Sequence, residues 1–136
     1  MTVEAKPAPE DIRRARGNNP KMRERDLARI LNVSEAEFVA AFVGESVTRL
    51  EPRVDDLLNG LGACGEVMAL TRNESAVHEK IGVYDNVVTG PNNAMVLSSE
   101  IDLRIFPRGW ASGFAVEKRD EDGSMRMSLQ FFDRHG

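Results

Sequence analysis

Ile101-Asp102-Leu103-Arg104-Ile105-Phe106-Pro107-Arg108-Gly109-Trp110 reads as a strand running into a turn. Side chains on a strand alternate between faces, so Ile101, Leu103 and Ile105 share one side and Asp102, Arg104 and Phe106 the other. The aliphatic set wants a core, which predicts a sheet with helices on that side. The turn residues Pro107-Arg108-Gly109 then end the strand.

Working outward, the same period of two runs from Gly65 to the end of the chain. Strands are expected over Glu66–Thr71, Ala76–Ile81, Asn86–Thr89, Ala94–Leu97, Asp102–Phe106, Gly113–Lys118 and Met125–Phe132. Turn-forming residues separate them: Gly82, Gly90-Pro91-Asn92-Asn93, Pro107-Arg108-Gly109 and Asp120-Glu121-Asp122-Gly123. Short strands joined by tight turns imply antiparallel pairing.

Upstream the period is helical. Pro9 suits the first turn of a helix, and Glu10 and Asp11 suit the positive end of its dipole. Gly17-Asn18-Asn19-Pro20 breaks that helix, and a second is expected from Lys21 to Leu31. Ser34-Glu35-Ala36-Glu37 is a capping box that opens a third, with Phe38, Val39, Ala41 and Phe42 on its buried side and Gly44 at its end. A short strand (Val47–Leu50) and a short helix (Val54–Leu61) follow. The expected fold is therefore α+β: N-terminal helices packed on a large antiparallel β-meander sheet. One domain is expected over 1–136, with a loose tail at 1–7, a mainly helical layer at 8–61 and the sheet at 65–136.

Composition narrows the function. The net charge is −4 over 136 residues. It is unevenly spread, with eight Lys/Arg against five Asp/Glu in residues 1–32 and ten against seventeen in the remainder. A basic end with interspersed acids reads as a solvated helix surface, not a nucleic-acid footprint. Arg25–Phe38 has a helix-turn-helix rhythm, but its second helix starts Ser34-Glu35-Ala36-Glu37, whose carboxylates would repel phosphates. No apolar run approaches the roughly 20 residues of a membrane span. The N-terminus lacks the apolar core of a secretory leader. A lone Cys64 fits a reducing cytoplasm, cannot form an internal disulfide and cannot by itself build a zinc or iron–sulfur centre. There is no Cys-x-x-Cys-His and no glycine-rich phosphate loop. Ser75 and His78 lie three apart on a strand and so face opposite ways, which leaves no catalytic constellation of side chains and no protein-only metal site.

The polar positions suit a different chemistry. Arg104 beside Phe106 on an open sheet face matches a flat, apolar ligand with carboxylate arms. In Ala76–Ile81, His78 and Lys80 share a face, where an imidazole can ligate iron and an ammonium can meet a carboxylate. Each has a plainer explanation: an Asp102–Arg104 ion pair on a solvated face, and an ordinary surface histidine. Taken strand by strand, the plainer explanation prevails. His135, in the terminal Arg134-His135-Gly136, reads as a tail residue.

Several collinear blocks carry a resemblance: Asn19–Asp26, Leu31–Glu37, Gly65–Glu74, Ala76–Lys80, Ile101–Pro107, Trp110, Gly113–Glu117 and Ser128–Asp133. In these the chain resembles the first half of the bacterial hemin-degrading factors, the HemS/HmuS/ChuX-like heme-utilisation family. The resemblance implies a cytoplasmic heme protein built from two similar halves, each with helices and a large antiparallel sheet, with heme held between them. It implies heme as cofactor and puts Arg104 at the family's distal arginine, which helps hold the bound heme, with Phe106 near it; His78 and Lys80, from the strand reading, are weaker candidates. The partner would be the second half of the same protein or a homodimer mate, and a heme oxygenase could receive the heme. It leaves degradation by ring opening and carriage without turnover both open, and implies an isolated half without catalysis. The family's principal axial histidine belongs to the second half, and Ser75 stands where members often carry another histidine.

Overall fold

The computed structural model describes residues 6–51, 53–73, 75–119 and 122–136. In chain order the elements are α1 (Pro9–Asn18), α2 (Glu24–Leu31), α3 (Glu35–Ala40), β1 (Val47–Arg49), α4 (Val54–Leu61), β2 (Glu66–Arg72), β3 (Val77–Val83), β4 (Val87–Thr89), β5 (Ala94–Leu97), β6 (Asp102–Ile105), β7 (Ser112–Arg119) and β8 (Met125–Phe132). They fall into two compact units, Met1–Pro52 with Trp110–Gly136, and Arg53–Gly109.

The first unit is organised around α3. The Ser34 hydroxyl accepts the Glu37 N–H at 3.0 Å, so the predicted cap starts the helix. Phe38 faces Ile12, Leu27, Ala28 and Ala41 from the helices. Val39, the next residue, faces Val47, Phe114 and Val116 from the sheet. One short helix thus closes two cores by presenting adjacent residues to opposite sides. Each fully buried Phe or Val adds about 1.5–3 kcal/mol. The sheet order is β1-β7-β8, all antiparallel. Arg49 caps the Phe114 ring at 5.0 Å from its centroid, and Lys118 pairs with Glu24 at 2.6 Å to tie β7 to α2.

Two arginines of the basic end serve the fold. Arg13 donates to the Ala41 carbonyl at 2.6 Å, and Arg16 donates to the Met22 carbonyl. The turn that Arg16 holds delays α2 to Glu24, three residues after the expected start. α3 also stops early: its last residue is Ala40, and Gly44, with φ +93°, sits in the following turn. Burial opposes ionisation of Glu37, but the Lys6 ammonium at 3.2 Å and the hydrogen bonds from Ser34 outweigh it and hold the carboxyl below its ordinary pKa. The tail expected at 1–7 lies outside the described residues except for Lys6 and Pro7. Of the Asp120–Gly123 turn, Asp120 and Glu121 lie outside them too; Asp122 accepts the Ser124 N–H at 2.9 Å, and Gly123 takes φ +86°.

The second unit holds α4, a two-stranded sheet β2-β3 and a three-stranded sheet β4-β5-β6. α4 packs beside β4, with Val54 and Leu58 buried. Burial raises the pKa of the Tyr84 phenol, which follows β3.

The α+β class holds, but the single large meander does not form: the described strands make three small antiparallel sheets. Every expected strand is present; what fails is the ladder between neighbours. Gly82, expected as a turn residue, instead lies inside β3 and pairs with Val67, and it has only a hydrogen to set against Ile101; β3 runs on to Val83. β6 ends at Ile105, one residue short of the expected Phe106; Pro107, which has no N–H to extend a ladder, then opens the short 3₁₀ turn Pro107–Gly109.

Candidate functional site

The candidate face is the outward side of β4-β5-β6. Ala94 pairs with Ile105 and Val96 with Leu103, and Ala94, Val96, Ile101 and Ile105 are buried. The alternate residues must then point away. Val88 sits opposite Met95 and Met95 opposite Arg104, forming a row across the three strands. Leu97 sits opposite Asp102 in the next row. Phe106 stands beyond the last pair with 61% of its surface exposed. The face is therefore apolar (Val88, Met95, Leu97, Phe106) with a guanidinium in its midst.

Arg104 has no hydrogen-bond or ion-pair partner among the described residues. The Asp102–Arg104 pair, the plainer explanation of this face, is absent from the ion pairs formed. An unpaired guanidinium bordered by hydrocarbon, with Asp102 on its face but not paired to it, can receive an anion. Once a flat ligand covers it and excludes water, its attraction to a carboxylate grows severalfold as the local dielectric falls. The neighbouring side chains provide contact area for the ligand's apolar body.

The β2-β3 hairpin places the other candidates. Thr71 pairs with His78, Ala69 with Lys80 and Val67 with Gly82, so His78 and Lys80 share a face as expected, and Gly82 continues it. A Cβ on Gly82 would lie 2.9 Å from Ile101 Cγ1, so the root of the hairpin rests on the residue that precedes β6. Next along, Lys80 Nζ meets Glu100 Oε2 at 3.2 Å. Its charge is thus already matched by a carboxylate, though both groups are about half exposed and such a pair exchanges readily. His78, further out, is exposed and has no hydrogen-bond partner among the described residues. The structure so leaves Arg104 unpaired two residues before exposed Phe106, and engages Lys80 with Glu100.

Met95, Val88 and Leu97 were not singled out from sequence. Their strands were expected, but Ala94–Leu97 is apolar throughout and shows no alternation. Only the register against β6 identifies which of them flank Arg104. The hairpin's opposite face carries Met68, Leu70, Val77 and Ile81, and these are about half exposed.

Among the described residues no helix is long and apolar enough to cross a membrane. Residues 32–136 match the family model described as the haemin-degrading HemS.ChuX domain. The hemin transport protein HemS of Yersinia enterocolitica is 39% identical over 128 residues, 93% of this chain and 37% of that protein. In structure the chain resembles holo-PhuS, a heme-binding protein from Pseudomonas aeruginosa, with a TM-score of 0.88 and 41% identity over 96% of this chain and 39% of PhuS. It also resembles ChuS, an E. coli heme oxygenase, with a TM-score of 0.76 and 34% identity over 87% of this chain and 36% of ChuS. The chain thus spans little more than a third of the length of each of these relatives.

Proposed function

The chain belongs to the haemin-degrading HemS/ChuX family, and from that membership we propose that it forms one wall of a heme pocket, with Arg104 as the anion contact. The observation that carries the reading is the unpartnered Arg104 guanidinium among Val88, Met95, Leu97 and Phe106. A porphyrin is flat and apolar with carboxylate arms, and this face offers it contact area and a cation. Phe106 packs on the macrocycle. His78 is a secondary contact, and Lys80 becomes one only by leaving Glu100. The group itself supplies the iron chemistry, and the chain's residues bind and orient it. The reading places the chain in the cytoplasm, as part of heme uptake, with the remaining ligands of the pocket on another half or copy.

A hemin titration followed at the Soret band tests this. The wild type should show a saturable shift, and Arg104→Ala should weaken it about tenfold, as expected for one charge-assisted contact. Absence of a saturable shift, or equal affinity in both proteins, refutes the proposal. With reductant under air and catalase present, loss of the Soret band marks degradation; its persistence marks carriage.

A second reading has its own observation. The apolar hairpin face (Met68 at 58% and Ile81 at 60% exposure) suits burial against more protein, so the chain would complete a pocket or associate without holding heme itself. Sedimentation with and without hemin separates the two: association independent of hemin, with no Soret shift, favours this one.

A further inference from the structure

The end of the same sheet face carries a second arginine. β4 and β5 are joined by Gly90-Pro91-Asn92-Asn93, and β6 leaves the sheet through Phe106 and the 3₁₀ turn Pro107–Gly109. Because Ala94 pairs with Ile105 as the last rung, both connections project from one end. There Arg108 Nη2 donates to Asn92 Oδ1 at 3.4 Å. The Gly109 N–H donates to the Phe106 carbonyl at 2.9 Å, which curls the turn back and keeps Arg108 near the Phe106 end of the face. We propose that Arg108, steadied by Asn92, is a second anion anchor beside Arg104, so that this face selects a flat apolar ligand bearing two carboxylates over one bearing none. The inference rests on the heme reading of this face and adds the ligand's charge pattern to it.

Three features support it. Arg108 meets only a neutral amide, over a long hydrogen bond, and has no carboxylate partner among the described residues. A guanidinium carries five N–H donors, so most of its capacity is unspent. The neighbouring turn residues Gly90, Pro91, Asn92, Asn93, Pro107 and Gly109 are uncharged, and on the outward face only Asp102, at the other end of β6, opposes two arginines. Finally, only Ile105, Phe106 and Pro107 separate Arg104 from Arg108, on the order of 10 Å of backbone, within joint reach of two long side chains on one ligand.

The test uses the full chain, with hemin and hemin dimethyl ester as paired probes, in wild type, Arg108→Gln and Arg104→Ala. Arg108 is exposed, so Arg108→Gln should melt with the wild type by circular dichroism. Arg108→Gln should weaken hemin about fivefold, the upper range for an exposed ion pair, and leave the ester within about twofold. Equal weakening of both ligands, or of neither, while hemin binding still depends on Arg104, overturns the second anchor and leaves the heme reading standing. No saturable shift with either probe in the wild type overturns both.

Discussion

Gly113→Ala should destabilise the first unit through a single contact. Gly113 on β7 sits directly opposite Phe131 on β8. A Cβ built on Gly113 would lie 2.8 Å from Phe131 Cδ1 and Cε1. Carbon atoms prefer about 3.5 Å or more, so the ring must retreat by about 0.7 Å. It has little freedom to do so, because Phe131 is stacked on Trp110 with centroids 4.2 Å apart and planes 16° from parallel. Losing the stack costs about 0.5–1.5 kcal/mol, and overpacking costs about 1–3 kcal/mol. Replacing glycine in a strand returns about 0.5–1 kcal/mol, which leaves a net loss of about 2 kcal/mol.

Trp110 is the only tryptophan, so its emission reports this contact directly. Urea unfolding followed by Trp110 emission should show a lowered midpoint and an altered native spectrum. In a Phe131→Leu background the obstructing ring is gone, and Gly113→Ala should cost less than about 0.5 kcal/mol, a coupling that a double-mutant cycle isolates. An unchanged midpoint refutes the reasoning. So does an equal cost in both backgrounds, since the penalty would then come from the backbone and not from the ring.

Further outcomes follow from the core and the cap. Phe114, 1% exposed between α3 and the sheet, should cost about 3–5 kcal/mol on truncation to Ala, seen as loss of the cooperative Trp110 transition or a large fall in its midpoint. Glu37 has a folded-state pKa below its ordinary value of 4.5, so it contributes stability that is present above that value and lost as the pH falls through the lowered one. The stability gap between wild type and Glu37→Gln should therefore close on acidification, as measured by urea midpoints across a pH series; a gap that widens refutes it.

Much of the fold was legible because local rules agreed with tertiary need. Val54–Leu61, Ala94–Leu97 and Met125–Phe132 have the expected bounds, and Ser34 caps α3 as its hydroxyl and Glu37 predicted. Helix ends were less legible. α2 starts late because Arg16, remote in local pattern, bonds the turn that precedes it. The division of the described strands among three sheets was not legible at all. Alternation reports which face of a strand is apolar, but not which neighbour its backbone bonds, and β1 pairs with β7 across more than sixty residues of sequence.

The candidate site divides in the same way. By itself the sequence determined that Asp102 and Arg104 share a face opposite Leu103 and Ile105, because a strand's period of two allows nothing else. It determined equally that His78 shares a face with Lys80. Only the tertiary structure decided that Arg104 lies opposite Met95, in a row with Val88, and pairs with no carboxylate, whereas Lys80 is met by Glu100. The physical reason is that a charge's partner is set by distance through space. Glu100 lies twenty residues from Lys80 yet within an ion pair's reach, while Asp102, two residues from Arg104, forms no pair with it.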